Sequence, residues 1–186
     1  MNPAPNLVLV GPMGAGKSSI GRGLADRFGL AFVDADRDIE ERCGTSVSTV
    51  FELEGEPGFR ARERESLATL LAGEGLLLAT GGGAVLDAGN RDLLRNRGFV
   101  VWLQVPVDEQ LRRLARDRTR PLLQRPDREA VLHRLACERA PLYADVADLQ
   151  FSTSNLDADA ATMALARQLD ELWQSLPTAT PSRRRP

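Results

Sequence analysis

The 186-residue chain is 42% hydrophobic and 27% charged, with a formal net charge of -2. This composition is typical of one soluble globular domain with a sizeable core, and it argues against a general nucleic-acid or membrane-surface binder. No apolar run approaches the roughly 20 residues of a membrane span, and Met1-Asn2-Pro3 begins no signal peptide. Because Cys43 and Cys137 match no metal-binding spacing and favour reduced side chains, we expect a cytosolic protein. The ordinary composition and short tails make a monomer the default expectation.

Apolar runs alternate along the chain with amphipathic stretches, which predicts strands that alternate with helices. The predicted strands are Leu7–Val10, Leu30–Val33, Leu76–Thr80, Phe99–Val105 and Leu149–Ser152. The predicted helices cover residues 17–28, 36–42, 46–53, 59–71, 87–96, 108–116, 129–140 and 157–174, with a turn at 54–58 and a helix end at Pro141. This order indicates an α/β fold, a three-layer sandwich whose central five-stranded parallel sheet carries helices on both faces.

We predict one domain, residues 1–176, followed by a frayed tail at 177–186 that contains a run of arginines. Within the domain, the arginine-rich loop at 117–128 is either a solvated connection or a functional segment.

The first strand leads into Gly11-Pro-Met-Gly-Ala-Gly-Lys-Ser18, a complete G-x-x-x-x-G-K-[ST] pattern between a predicted strand and a predicted helix. Glycines let backbone N–H groups surround a phosphate, and the helix N-terminus adds partial positive charge. Lys17 is the only lysine among 24 basic residues, at the position where a compact, mobile ammonium can reach the β- and γ-phosphates. The pattern predicts a nucleotide-binding loop (P-loop) formed by Gly11, Gly14, Ala15, Gly16, Lys17, Ser18 and Ser19. The alternative is a glycine-rich turn without a ligand.

Two further polar or glycine-rich breaks follow predicted strands, Asp34-Ala-Asp36 and Gly81-Gly82-Gly83. In a parallel sheet these breaks lie with the P-loop at the carboxyl ends of the strands, where ligands bind. Leu76–Thr80 ends in glycines and Phe99–Val105 ends in Val-Pro, so neither ends in the Asp or Asp-Glu that holds Mg²⁺ and activates water in hydrolytic motors and GTPases. The sequence therefore favours phosphoryl transfer to a bound hydroxyl over hydrolysis.

The motifs Gly11–Ser18, Asp34-x-Asp36, Phe59-Arg60, Gly81–Gly83, Arg120-Pro-Leu-Leu and Arg139-Ala-Pro-Leu-Tyr143 occur in an order and spacing that resembles shikimate kinase, over about residues 7–152. The resemblance implies a P-loop kinase related to the nucleoside monophosphate kinase fold. It further implies transfer of the γ-phosphate of ATP to the 3-hydroxyl of shikimate, a step in aromatic amino acid biosynthesis, with Mg²⁺ as cofactor.

The two aspartates have different implied roles. Ser18 and Asp34 are expected at the Mg²⁺ site, and Asp36 is expected to bind substrate hydroxyls and to orient or deprotonate the attacking one. The alternative for both aspartates is helix capping or a first-turn acid.

Arg60 and Arg139 suit a carboxylate, because a guanidinium fork can grip one with two parallel hydrogen bonds. On the residues alone, with 23 arginines in the chain, a surface ion pair is the favoured interpretation of both. Glu63, one helical turn after Arg60, either holds Arg60 in place or forms a surface pair with it. The resemblance assigns both arginines, with Gly81, Gly82 and Gly83, to shikimate binding.

The resemblance also makes residues 113–128 a lid that closes over ATP, with Arg120 reaching the transferring phosphate and Arg113 stacking on adenine. Lys17, Asp36 and Arg120 are thus the expected catalytic residues. Two alternatives stay open: another small-molecule P-loop kinase, such as a gluconate kinase, and a non-catalytic ATP-binding module.

Overall fold

The computed structural model describes residues 4–115 and 127–173. These residues form five strands: β1 (Leu7–Val10), β2 (Ala31–Asp34), β3 (Leu76–Ala79), β4 (Phe99–Gln104) and β5 (Leu149–Ser152). The α-helices within the described residues are α1 (Lys17–Phe28), α2 (Ala35–Cys43), α3 (Val47–Leu71), α4 (Ala88–Arg97), α5 (Val107–Arg113), α6 (Arg128–Val146) and α7 (Ala158–Leu172). A 3₁₀ turn at Ala84–Leu86, which the sequence analysis did not predict, follows β3.

The strands form one sheet in the order β2-β3-β1-β4-β5, and every neighbouring pair is parallel. The predicted five-stranded parallel sheet is therefore confirmed. Because all carboxyl ends meet at one edge, the segments after β1, β2 and β3 are brought together there. β1 lies at the centre of the sheet, so the loop that follows it has neighbours on both sides.

Helices cover both faces of the sheet, as predicted. Leu7 and Leu9 of β1 pack into a core with α1 and α7, while Val8 and Val10 pack into a second core with α3, α4 and α6. All four side chains are fully buried. Successive strand residues point to opposite faces, and burial on both faces explains why β1 is apolar throughout.

The break predicted at residues 54–58 is present as a kink inside one long helix. Gly55 has φ 67° and ψ -177°, a backbone conformation outside the helical region, and Pro57 follows it. Across the kink the rings of Phe51 and Phe59 stack with centroids 4.5 Å apart. This stacking fixes the start of the second half of α3, where Arg60 directly follows Phe59.

Two local expectations were wrong. The helix predicted to end at Pro141 continues to Val146, because Tyr143 and Val146 are buried in the core beyond the proline and that packing outweighs one missing N–H. His133, the only histidine, whose position between Leu132 and Leu135 in the sequence predicts a partly buried side chain, is exposed on α6. Among the described residues, none of the helices combines the length and apolar character needed to cross a membrane.

Some predictions fall beyond the described residues. Arg120 and most of the predicted lid lie within 116–126, and the predicted tail lies within 174–186. These predictions stay predictions.

Candidate active site

The P-loop takes the backbone conformation that its glycines allow. Gly11, Gly14 and Gly16 have φ values of 139°, 76° and 91°, which disfavour any residue with a side chain. A Cβ on Gly11 would also collide with the carbonyl oxygen of Leu103 in β4. The Lys17 Nζ donates to the carbonyls of Gly11 and Pro12, at 2.8 and 2.9 Å, so the ammonium lies over the loop.

The N-terminus of α1 is suited to an anion. Gly16 is its N-cap residue and provides no side-chain oxygen for the first N–H groups of the helix. Ala15 is fully buried under the loop, whereas Ser19 is exposed on the first turn. The P-loop residues predicted from the sequence are thus gathered at one helix terminus, where backbone donors and the helix dipole favour phosphate.

Ser18 and Asp34 meet between α1 and the end of β2. The Ser18 hydroxyl donates to Asp34 Oδ2 at 2.6 Å, while Asp34 Oδ1 accepts from the backbone N–H of Asp36 and caps α2. The capping alternative considered for Asp34 is therefore present, and it leaves Oδ2 directed at Ser18. A hydroxyl and a carboxylate oxygen this close are ligands of the type Mg²⁺ takes, together with waters and phosphates.

A pair of carboxylates flanks Gly81. A Cβ on this glycine would lie 2.7 Å from Asp36 Oδ1 and 3.0 Å from Glu63 Oε1. Glu63 is 1% exposed, and its Oε1 has no hydrogen-bond partner among the described residues. Burial raises the pKa of Glu63, and the Arg60 guanidinium opposes that rise. An unpaired buried acceptor next to Asp36 gives this corner the capacity to accept hydrogen bonds from hydroxyl groups.

Arg60 is held from two sides by carboxylates of its own helix. Its Nη1 donates to Glu63 Oε2 at 2.7 Å, and its Nη2 lies 3.1 Å from Glu56 Oε1. Burial lowers the pKa of Arg60, but the two glutamates more than compensate and the net shift is upward. The guanidinium faces Gly83, where a Cβ would collide with it. Arg60 is therefore a fixed, permanently charged cation beside the triple glycine.

Arg139 reaches the same glycines from α6. A Cβ on Gly82 would lie 3.6 Å from Arg139 Nη1, and the Gly82 carbonyl accepts a 2.5 Å hydrogen bond from the Tyr143 hydroxyl. Burial raises the pKa of Tyr143 to about 12, against the effect of the Arg139 charge, so the hydroxyl stays a donor at neutral pH.

Tyr143 was not predicted to be a site residue, and for Glu63 the sequence left open a pair that holds Arg60 or a surface ion pair. Each has a sequence signal. Tyr143 ends the Arg-Ala-Pro-Leu-Tyr motif and is the only tyrosine, while Glu63 lies three residues after Arg60 on the same helix.

Arg113, at the end of α5, contacts the P-loop on the side of β5. Its guanidinium donates to the carbonyls of Gly14 and Thr153 at 3.0 and 2.7 Å and to Glu109 at 2.7 Å. These contacts join the P-loop to the segment after β5. Stacking of Arg113 on adenine stays a prediction.

Comparison with known proteins places this geometry in a family. The chain matches the family model described as shikimate kinase over residues 13–170. It is 59% identical over 174 residues to a shikimate kinase of Stenotrophomonas maltophilia (strain K279a), with 94% of this chain and 97% of that protein covered. A shikimate kinase of Xanthomonas campestris pv. campestris (strain 8004) gives the same identity and coverage.

The fold agrees with solved structures. The structure of an Acinetobacter baumannii shikimate kinase in complex with shikimate superposes with a TM-score of 0.85 at 46% identity, covering 90% of this chain and 94% of that one. A deoxyadenosine kinase from M. mycoides, 16% identical with a TM-score of 0.57, shares the fold alone. On the family match and these identities, the chain belongs to the shikimate kinase family.

Proposed function

We propose a division of labour among the residues of this site for the activity that family membership gives the chain, ATP-dependent phosphoryl transfer to the 3-hydroxyl of shikimate. One observation carries the proposal. Asp36, Glu63, Arg60 and Arg139 all gather around Gly81–Gly83, at the sheet edge that also carries the P-loop. Two cations and two carboxylates around backbone that carries no side chains match a substrate with one carboxylate and several hydroxyls.

The P-loop and the N-terminus of α1 bind the phosphates of ATP. Lys17, which lies over the loop on two carbonyls, moves the short distance to the β- and γ-phosphates and stabilises charge on the transferring group. We assign the same electrostatic task to Arg120, which lies outside the described residues.

Ser18 and Asp34 hold the Mg²⁺ that this chemistry uses, since their oxygens are already 2.6 Å apart. When bound, the ion neutralises charge on the β- and γ-phosphate oxygens. The capping bond to Oδ1 fixes the Asp34 carboxylate, so Oδ2 keeps its direction toward Ser18.

Arg60 and Arg139 bind the carboxylate of shikimate, and the backbone of Gly81–Gly83 allows the ring to approach closely. Glu63 holds Arg60 in place through the 2.7 Å ion pair. Asp36 binds the attacking hydroxyl and either orients it or accepts its proton, with Glu63 Oε1 beside it as a second acceptor.

We also propose that the enzyme works as a monomer in the cytosol. The free Cys43 and Cys137 support a reducing compartment.

The test is ADP release with Mg²⁺ and ATP, measured with shikimate, with gluconate and without acceptor. We expect turnover with shikimate only. Turnover with gluconate alone would overturn the acceptor assignment, and equal release without acceptor would mean hydrolysis.

A matched pair of variants tests the carboxylate site. Arg60→Lys keeps the charge but loses the fork, so the KM for shikimate should rise about tenfold with the KM for ATP unchanged. Arg62→Lys is the control: this partly exposed arginine, two residues further along α3, pairs with Glu54, and its substitution should change neither KM. The methyl ester of shikimate, which lacks the anionic charge, should be a poor substrate of the wild type. The Arg60→Lys substitution should lower the turnover of this ester little further.

A further inference from the structure

Arg113 uses every N–H group at the two ends of its guanidinium. Its Nη1 donates to the Gly14 carbonyl at 3.0 Å and to Thr153 Oγ1 at 3.1 Å. Its Nη2 donates to Glu109 Oε1 and to the Thr153 carbonyl, both at 2.7 Å. Each Nη carries two N–H groups, so these four bonds commit both ends of the fork. The guanidinium is therefore held in one orientation against the P-loop.

The partners that hold Arg113 are themselves fixed. Thr153 is 1% exposed, and both its N–H and its hydroxyl donate to the Gln104 carbonyl at the end of β4. Glu109 is 9% exposed and lies one turn before Arg113 on α5. Desolvation raises the pKa of Glu109, but the hydrogen bond and the charge of Arg113 outweigh it, so the pKa lies below its usual value and Glu109 is ionised at neutral pH. The sheet and α5 together aim the guanidinium at Gly14.

The contact with Gly14 sets the direction of a peptide group in the P-loop. The Gly14 carbonyl and the Ala15 N–H belong to one planar trans peptide, so they point in opposite directions. The carbonyl points to Arg113, and the N–H points to the Pro12 carbonyl, with an N···O distance of 3.3 Å. The Lys17 ammonium donates to the same Pro12 carbonyl at 2.9 Å. The Ala15 N–H is thus directed to the side of the loop where Lys17 lies.

This peptide needs a restraint from outside the loop, because glycine does not supply one. Gly14 has φ 76°, and without a Cβ it allows either orientation of the peptide that follows it. In the flipped orientation the carbonyl would point at the phosphates and repel them, and the loop would lose one backbone donor. A side chain at this position would have to displace Leu114, since a Cβ on Gly14 would lie 3.2 Å from Leu114 Cγ. The restraint comes from Arg113 instead.

We propose that Arg113 is a positioning residue for the triphosphate of ATP. It holds the Gly14 carbonyl outside the P-loop and thereby keeps the Ala15 N–H turned to the phosphates. Glu109 sets the guanidinium for this task. The role rests on the proposed binding of the ATP phosphates by the P-loop. It differs from stacking on adenine, because it acts on the phosphates and not on the base, and from simple attraction by a cation, because it requires the acidic Glu109.

The experiment compares ATP with inorganic tripolyphosphate, a probe that has the phosphates without the base. Calorimetric titration of the full chain with Mg²⁺ present gives the Kd of each. Arg113→Met keeps an unbranched side chain but removes every donor, so it should raise both Kd values about tenfold through one displaced phosphate contact. Steady-state kinetics should show an unchanged KM for shikimate. A rise in the Kd of ATP alone would indicate stacking on the base and overturn the proposal.

Glu109→Met separates positioning from charge. Removal of a carboxylate near the P-loop makes this region more positive, so charge alone predicts a lower Kd for tripolyphosphate. Positioning predicts the opposite, a Kd about threefold higher, because Arg113 loses the partner that aims it. A lower or unchanged Kd in Glu109→Met would overturn the proposal.

Arg97→Met is the matched control, and circular dichroism verifies that all variants fold. Arg97 also donates to backbone carbonyls, those of Leu71, Ala72 and Gly73, but it lies just before β4, at the opposite edge of the sheet from the P-loop. Its loss should lower Tm and leave both Kd values unchanged. Equal weakening of tripolyphosphate binding in Arg97→Met and Arg113→Met would trace the effect to stability and overturn the proposal.

Two further measurements locate a failure. In ¹H–¹⁵N spectra the Ala15 amide proton of the wild type should shift downfield when tripolyphosphate saturates the loop, and an equal shift in Arg113→Met would overturn the proposal. Lys17→Met tests the P-loop itself. If it raises the Kd of tripolyphosphate and Arg113→Met does not, only the positioning role is wrong. If the wild type shows no saturable binding up to about 10 mM, or Lys17→Met binds equally well, the proposed phosphate site is wrong as well.

Discussion

The bond between Tyr143 and Gly82 gives a prediction that separates positioning from stability. Tyr143→Phe removes one hydroxyl that is buried and donates to the Gly82 carbonyl at 2.5 Å. A buried acceptor left without its donor costs about 1–3 kcal/mol of unfolding free energy. For a chain of this length, each kcal/mol lowers Tm by about 2–4 °C.

The functional effect follows from where Gly82 lies. Released from Tyr143, the triple glycine should lose its fixed position between Arg60 and Arg139. Loss of one well-placed substrate contact corresponds to about a 2–10-fold rise in the KM for shikimate, with the KM for ATP unchanged. Steady-state kinetics with each substrate varied, together with thermal unfolding of the variant, measures both effects.

Val146→Ala provides the control. Val146 is buried in the same core, three residues further along α6, but its side chain cannot donate a hydrogen bond. Its truncation should cost a similar free energy, about 2 kcal/mol, without moving the KM for shikimate. If Tyr143→Phe destabilises the protein as Val146→Ala does and leaves that KM unchanged, the hydroxyl does not position the glycines and the reasoning is wrong.

Three further predictions concern other parts of the molecule. Gly83→Ala should raise the KM for shikimate at least about tenfold, because the new methyl group collides with Arg60. Gly73→Ala is the control, since its Cβ would have only the Leu70 carbonyl within 4 Å, and it should leave that KM unchanged. Equal kinetics of the two variants would show that Arg60 moves aside freely. Ser18→Ala should raise the Mg²⁺ concentration for half-maximal activity about tenfold by losing one ligand, and an unchanged Mg²⁺ titration would remove Ser18 from the metal site. Because the pKa of Tyr143 is raised in the fold to about 12, the wild type should lose stability between about pH 10 and pH 12, where the unfolded phenol ionises and the folded one does not. Urea unfolding of Tyr143→Phe should lack that part of the loss, and identical pH profiles would contradict the shift.

Local sequence patterns predicted the fold well, because the elements obey local rules. The apolar run Leu7–Val10 predicted a buried strand, and the G-x-x-x-x-G-K-S pattern after it predicted a phosphate-binding turn that leads into a helix. The kink at Gly55 was also foreseeable from Gly and Pro within four residues. The continuation of α6 past Pro141 was not, because it depends on the burial of Tyr143 and Val146 against distant strands.

The site was predictable in its residue types and not in its contacts. Parallel strands bring Asp36 and Gly81 to one edge, so their proximity follows from topology. The packing of α3 and α6 on the sheet decides the other contacts. It brings Glu63 next to Gly81, and it brings the Tyr143 hydroxyl to the Gly82 carbonyl, 61 residues away in the chain. Side-chain packing of this kind leaves no periodic trace in a sequence.

The single lysine has a practical consequence. Besides the amino terminus, Lys17 carries the chain's only primary amine, and its Nζ rests on the carbonyls of Gly11 and Pro12 within the P-loop. An amine-directed acylating reagent therefore labels one side chain, and the masses of proteolytic peptides separate that label from one on the amino terminus. Protection of that amine by ATP reports nucleotide affinity in any variant, including those with no turnover. Lys17 thus serves as a single labelled side chain in the P-loop that reports nucleotide binding.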